Sequence, residues 1–370
     1  MELINQIYLS RFKSISAMKP LDLTLGRINI LLGANGSGKS NLISYFGMLT
    51  NLYNRTFQNY AAQFGAQTLL HGGPQYTGGI KTSVHCVDTD NAEREAVYNV
   101  ALNFGVPNRL FIAEETVWPK GRPQSYMVYS DTNESGLQGC LQEPGAQLIA
   151  SLLSRICIYQ FNNTAMGSSI RLPSGKYDCA ALRVDGGNLA SYLNQLKTAE
   201  PYLQYYRRIV AMIRSVMPQF NDFDFRPTAD GSVWLTWTDR NHPGYLLGPH
   251  QLSDGTLRFM ALAAALLSPP QLMPKVLILD EPELGLHPFA VGKLAGMIKM
   301  ASVHSQVIVA TQSAKLVDAF DIEDVRVVDW DRGIGCSVIK KLNPADFTAW
   351  TERYNSISDL WEKNLIGGQP

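Results

Sequence analysis

Two apolar segments, Ile28–Leu32 (with Asn29 as its one polar residue) and Val276–Leu279, stand out in a mixed pattern of hydrophobic and polar positions. Runs of this length without alternation predict strands buried on both faces, as in the interior of a parallel sheet. The first run is followed by Leu42, Ile43, Phe46 and Leu49, the spacing of an amphipathic helix. The second is preceded by Leu257–Leu267, rich in good helix formers. Between them, Gly79–Val87, Arg94–Phe104, Arg109–Trp118 and Ser125–Tyr129 read as strands separated by turn residues. A helix is predicted over Ala146–Arg155, leading into the apolar Ile156–Phe161. Two more helices fit between Gly187 and Phe220, with strands at Asp222–Arg226 and Ser232–Thr238. A β pair, Val325–Trp330 with Cys336–Lys341, closes the pattern. Sustained heptads and internal repeats are absent, so no coiled-coil arm is predicted.

The chemistry sits at the ends of the two buried runs. After the first comes Gly33-Ala34-Asn35-Gly36-Ser37-Gly38-Lys39-Ser40, then Asn41, a full match to G-x-x-x-x-G-K-[ST]. Glycines let backbone N–H groups turn inward around phosphates, and the helix that follows points its positive end at them. Lys39 would reach the β- and γ-phosphates, and the Ser40 hydroxyl would sit on Mg²⁺. The plainer reading is a glycine-rich turn, but strand before and helix after favour a nucleotide. The second run ends in Asp280-Glu281. Carboxyl ends of strands are where α/β sheets place ligands. Asp280 would hold Mg²⁺ through water, and Glu281 would polarise the attacking water. Between the two lies Gln251-Leu252-Ser253-Asp254-Gly255-Thr256 at a helix start. In isolation this is an ordinary N-cap; its place just before the acidic strand makes Ser253, Asp254 and Gly255 a second anion site.

This order resembles the ATP-binding-cassette ATPases, whose signature loop is LSGGQ-like, matched here by Leu252–Thr256. Pro282-Glu283-Leu284-Gly285-Leu286-His287-Pro288 is similar to the stretch after the acidic strand in RecF-like and OLD-like ATPases, and Ser305–Ser313 to their next strand and switch. The switch there usually reads T-H-S with a γ-phosphate-sensing histidine; this chain has Gln312, which can donate a hydrogen bond but carries no charge. Ile7–Ser14 resembles the superfamily's opening strand, which implies nucleotide contacts for Arg11, Phe12 and Lys13; a plain strand end with one core phenylalanine is the equal alternative. Gln160, after a mid-sequence strand, matches a glutamine that contacts Mg²⁺ and the attacking water in the family. His287 reads as structural, or as part of a dimer-contact loop by the resemblance. The ending Leu360-Trp361 to Asn364, Ile366-Gly367-Gly368 resembles that of stand-alone prokaryotic ATPases of AAA_21 type. The resemblance implies an α/β P-loop NTPase of ABC-ATPase type: a mixed central sheet, an antiparallel β lobe and a helical insertion. The expected division is one ATPase domain over 1–370, with the lobe at 55–150 and the helical insertion at 185–220. It also implies ATP and Mg²⁺ as cofactors, and a homodimer in which Ser253 and Gly255 of one copy close over the nucleotide of the other.

Composition narrows the role. The chain has 370 residues, and its 32 basic and 32 acidic side chains cancel. Neutrality argues against coating nucleic acid by bulk charge, so any DNA contact needs a local patch; Arg207, Arg208 and Arg214 are the best candidates, although such a trio is more often a solvated helix face. The longest apolar stretch, Phe259–Leu267, is about half the ~20 residues needed to span a bilayer. No signal peptide pattern opens the chain, and its five scattered cysteines fit a reducing, cytoplasmic setting without zinc. The expectation is an ATP-driven dimerisation switch in DNA repair or phage defence. The stretch after His287 is too short for an OLD-like nuclease domain, so an effector, a nuclease among the options, would be a separate protein. A transporter's nucleotide-binding subunit and a slowly hydrolysing scaffold are the alternatives.

Overall fold

The computed structural model describes residues 1–128, 132–343, 345 and 356–369. Along the chain run β1 (Glu2–Ser10), β2 (Leu21–Thr24), β3 (Ile28–Leu32), α1 (Lys39–Tyr53), α2 (Phe57–Phe64), α3 (Ala66–Leu69), β4 (Gly79–Asp88), β5 (Glu95–Gly105), β6 (Arg109–Pro119), β7 (Tyr126–Met127), α4 (Ala146–Leu153) and β8 (Ile156–Tyr159). There follow β9 (Ser174–Gly175), α5 (Leu189–Thr198), α6 (Leu203–Val216), β10 (Phe220–Phe223), β11 (Ser232–Val233), β12 (Trp237–Asp239), β13 (Leu246–Leu247) and α7 (Asp254–Leu266). The last described elements are β14 (Val276–Asp280), α8 (Pro288–Ala301), β15 (Gln306–Thr311), α9 (Ala314–Val317), β16 (Val325–Asp331), β17 (Cys336–Lys341) and a helix at Ile357–Glu362, here α10.

The chain forms two compact units: Met1–Ile156 with Lys275–Ile278 and Ile308–Pro370, and Cys157–Pro274 with Leu279–Val307. In the first, an antiparallel lobe has the order β2-β1-β4-β5-β6-β7. Alternate residues of β5 (Ala96, Tyr98, Val100, Leu102) are buried, the period of a strand with one face on a core. Helix α4 packs against β1, β4 and β5. The other large sheet runs β17-β16-β3-β15-β14-β8. It is mixed, with β16 parallel to β3 and antiparallel to β17. Buried Ile30–Leu32, Val276–Leu279 and Val307–Ala310 account for its unbroken apolar runs.

The second unit is mainly helical, with α5 on α6, α6 on α7 and α8, and α7 on α8. Leu257–Leu266 of α7 is buried throughout, so the helix has no solvated face. A small sheet, β10-β12-β13, carries Trp237, which stacks on Phe220 at 5.9 Å between centroids.

Four expectations need correction. The strand predicted at Ser125–Tyr129 is the two-residue β7, and Tyr129 lies outside the described residues. The single strand predicted at Ser232–Thr238 is broken into β11 and β12, because each piece pairs with a different partner, β9 and β10. The strand predicted at Asp222–Arg226 is displaced to Phe220–Phe223, where two buried phenylalanines form the core contacts. Of the proposed basic trio, Arg214 is committed to its own unit, donating from Nε to the Asn221 carbonyl at 2.7 Å.

Candidate nucleotide site

In the first unit, β3 delivers the chain to the phosphate-loop motif and α1 begins at Lys39. Gly38 has φ 115°, a conformation L side chains rarely adopt, and a Cβ there would stand 2.1 Å from Ser337 Oγ. Lys39 is buried, and its ammonium donates to the carbonyls of Gly33 (2.6 Å) and Ala34 (2.9 Å). The Ser37 hydroxyl is 5% exposed and has no partner. A buried hydroxyl without a partner costs free energy that a ligand oxygen would recover. Asn35, Gly36 and Ser40 are exposed, so the outer rim of the loop is open. Beside the loop is a hollow of about 370 Å³, walled by Ala34–Ser37 on one side and by Asp329, Trp330, Arg332 and Gln369 on the other.

The Arg11–Ser14 segment is built into the same unit. Phe12 is fully buried against Tyr45, so its ring belongs to the core. Arg11 and Lys13 have positive φ, 68° and 48°. Lys13 donates to Ser44 Oγ at 2.7 Å and lies over the Phe64 ring, and burial lowers its pKa. Ser14 Oγ accepts from Asn41 Nδ2 and from Ser337 Oγ, each at 2.7 Å, while Ser337 Oγ also lies 2.6 Å from the Ser37 carbonyl. Opening strand, phosphate loop and β17 are thus joined by three short side chains. Ser337 carried no signal in the sequence, because an isolated serine on a strand is unremarked until pairing brings it here. Gln312 is half-buried in the loop between β15 and α9, after Thr311.

The second unit gathers the other candidates. Asp280 and Glu281 end β14, both half-buried, and Glu281 has φ 45°. Ser253 caps α7, its Oγ accepting from Thr256 N at 3.2 Å. Gly255 sits so close to the loop after the carboxylates that a Cβ there would be 2.4 Å from the Gly285 carbonyl oxygen. Arg258 donates to the carbonyls of Leu284, Phe161 (3.1 Å) and Asn162 (3.3 Å). It therefore joins the signature helix, the loop after Glu281 and the segment after Gln160. Gln160 is exposed, and its backbone N–H is bound to Val184. Arg171, 3% exposed, donates to Thr164 O (2.7 Å), Pro249 O, Leu252 O (3.3 Å) and Asp254 Oδ1 (2.8 Å). That hydrogen bond holds the Asp254 carboxyl below the usual carboxylate range. His287 caps α8 through Nδ1, which accepts from Phe289 N at 3.2 Å, in keeping with a structural part. Neither Arg171 nor Arg258 was recognisable beforehand, since nothing local distinguishes a buried arginine from a surface one.

The sequence model of a family described as "AAA domain, putative AbiEii toxin, Type IV TA system" matches residues 201–318, the stretch with the signature, both carboxylates and Gln312. A search of curated proteins found no match to the chain. Among solved structures, an Smc head domain with an extended coiled coil, bound to the C-terminal domain of ScpA and derived from Pyrococcus furiosus, is similar with a TM-score of 0.61. It is 14% identical, over 96% of this chain and 100% of that one. An Smc head bound to the C-winged helix domain of ScpA gives 0.58 at 15% identity, over 93% and 99%. The chain has the fold of the Smc head domains. Among the described residues, no helix is long and apolar enough to cross a membrane.

Proposed function

We propose that the chain binds and hydrolyses ATP with Mg²⁺ and uses the cycle as a dimerisation switch that controls a separate effector. The observation that carries this reading is the phosphate loop: a buried Lys39 resting on its own loop's carbonyls, an unpartnered Ser37 hydroxyl and a Gly38 whose φ and closeness to Ser337 disfavour any side chain. These features fit a triphosphate. Backbone N–H groups of the loop and the α1 N-terminus would take phosphate oxygens, and Lys39 would exchange carbonyl partners for phosphate. Ser40, Asp280 and Gln160 would hold Mg²⁺, which when bound neutralises phosphate charge. Glu281 would accept the proton of the attacking water. Ser253 and Gly255 of a second copy would complete the site, as the family resemblance implies.

A separate partner is supported by the two Smc heads, each bound to a piece of ScpA. The matched family's description, a toxin of a type IV system, supports defence over repair. Gln312 favours slow turnover, because a neutral amide stabilises developing phosphate charge less than imidazolium does. The test is Glu281→Gln. Fluorescent-ATP binding should persist, hydrolysis should fall by at least about 10²-fold, and ATP should hold the variant as a dimer in light scattering. Wild-type turnover in Glu281→Gln, with no longer-lived dimer, defeats the proposal. Turnover measured with and without double-stranded DNA separates a DNA-linked role from the others.

A further inference from the structure

We propose that the segment Ser356–Gln369 is a strap that ties the phosphate loop to the switch segment after Gln312 and so sets how firmly the loop is held for a nucleotide. The consequence for nucleotide affinity rests on the reading above; the strap itself rests on contacts within the first unit.

One end of the strap is seated on the phosphate loop. Ala34 N donates to the Gly368 carbonyl at 2.8 Å. The same residue's carbonyl accepts from Lys39 Nζ (2.9 Å) and from Ser37 N (3.3 Å). A single residue, Ala34, therefore connects Gly368 to the lysine ammonium. The strap thus grips the loop through one backbone N–H, that of Ala34. The seat is shaped for this segment. Gly367 and Gly368 both have φ 81°, and a Cβ on Gly368 would stand 2.8 Å from Val327 Cγ1 and 3.3 Å from Trp361 Nε1.

The other end is seated on the switch. Ser358 donates from N (2.8 Å) and Oγ (2.6 Å) to the Asp318 carboxylate, which directly follows α9 and hence the Gln312 loop. Helix α10 also packs on α9. Between the two seats the strap is internally fastened. Ser356 caps α10, Asn364 ends it at φ 54°, Leu365 N donates to Leu360 O (2.8 Å), and Gln369 Nε2 donates to Trp361 O (3.1 Å). Buried Leu360 and Trp361 anchor it. This accounts for the L-W-x-x-N-x-I-G-G pattern largely residue by residue: Leu and Trp to bury, Asn to turn, two glycines to lie under the loop. Gln369, at its end, also walls the hollow beside the loop.

The discriminating variant is Asp318→Ala with Ser358→Ala, which removes the acceptor of both far-seat hydrogen bonds and touches nothing in the phosphate loop. Gly368→Ala breaks the near seat. Hydrogen exchange of the peptide spanning Gly33–Ser40, without nucleotide, should speed up about five- to tenfold in both, the worth of roughly one net hydrogen bond. Fluorescent-ATP affinity should weaken by a similar factor, because a loosened loop must be ordered on binding. The Asp318/Ser358 variant should keep the wild-type thermal midpoint. Unchanged exchange at Gly33–Ser40 in the Asp318/Ser358 variant overturns the strap. Faster exchange with equal or tighter ATP binding overturns its control of affinity. Failure of the wild type to bind ATP, with Lys39→Ala indistinguishable from it, overturns the functional reading instead, and the strap then stands or falls on exchange alone.

Discussion

Arg171 offers the sharpest test of how the signature loop is held. Replacing it by Met keeps most of the apolar stem and removes every donor. Three carbonyls then lose a partner, those of Thr164, Pro249 and Leu252, all on buried residues. The Pro249 carbonyl keeps the Leu252 N–H at 3.2 Å, so two acceptors are orphaned; at about 1–3 kcal/mol each, about 2 kcal/mol is the expected minimum. The ion pair adds little, because the Asp254 side chain is 69% exposed and exposed pairs are screened by water. With urea slopes of about 1–3 kcal/mol/M, the midpoint should fall by about 0.7–2 M. Fluorescence of Trp234 and Trp237 follows the second unit, which also contains Arg171. Asp254→Asn is the comparison, since it removes the ion pair and leaves the carbonyls satisfied; its midpoint should fall far less than that of Arg171→Met. Equal midpoints for Arg171→Met and Asp254→Asn would refute the reasoning, by showing that the carbonyls find other partners.

Two further outcomes are expected. Gly38→Ala places a Cβ 2.1 Å from Ser337 Oγ at φ 115°, so fluorescent-ATP binding should drop at least about tenfold, alongside an overpacking loss of about 1–3 kcal/mol; unchanged affinity would disprove the assigned cradle. For pH, the Asp254 carboxyl is depressed by Arg171, so its stabilisation is present above the unfolded value of about 3.9 and is lost as pH falls through the lower folded value. Urea midpoints of wild type and Asp254→Asn should therefore differ at pH 6 and converge below about pH 4; a constant difference would exclude the linkage.

What the sequence made legible was what local pattern controls. Ile30–Leu32 and Val276–Leu279 are unbroken apolar runs because their strands lie inside a sheet, and a run of that kind is visible without knowing the neighbours. Turn residues bounded β4, β5 and β6 nearly to the residue. The phosphate loop's spacing is a backbone requirement and was equally visible. The break between β11 and β12 was not, because pairing with β9 and β10 decides it. Helix α2, inside a region read as β lobe, was missed as well: Phe57, Tyr60 and Ala61 are its buried face, too few positions to establish a period. Arg171, Arg258 and Ser337 act through carbonyls and hydroxyls distant in sequence, so their importance is a property of the folded chain. The final glycine pair was recognised as a pattern, but its seat against Ala34 could only be seen once folded.

Glu281 sits at φ 45°, a backbone shape that glycine adopts freely and that costs other residues about 1–2 kcal/mol. At this position thermal robustness and chemistry pull in opposite directions. A laboratory selection for heat resistance alone should enrich glycine or asparagine at 281, and the hardier proteins it returns would lack the carboxylate proposed to activate water.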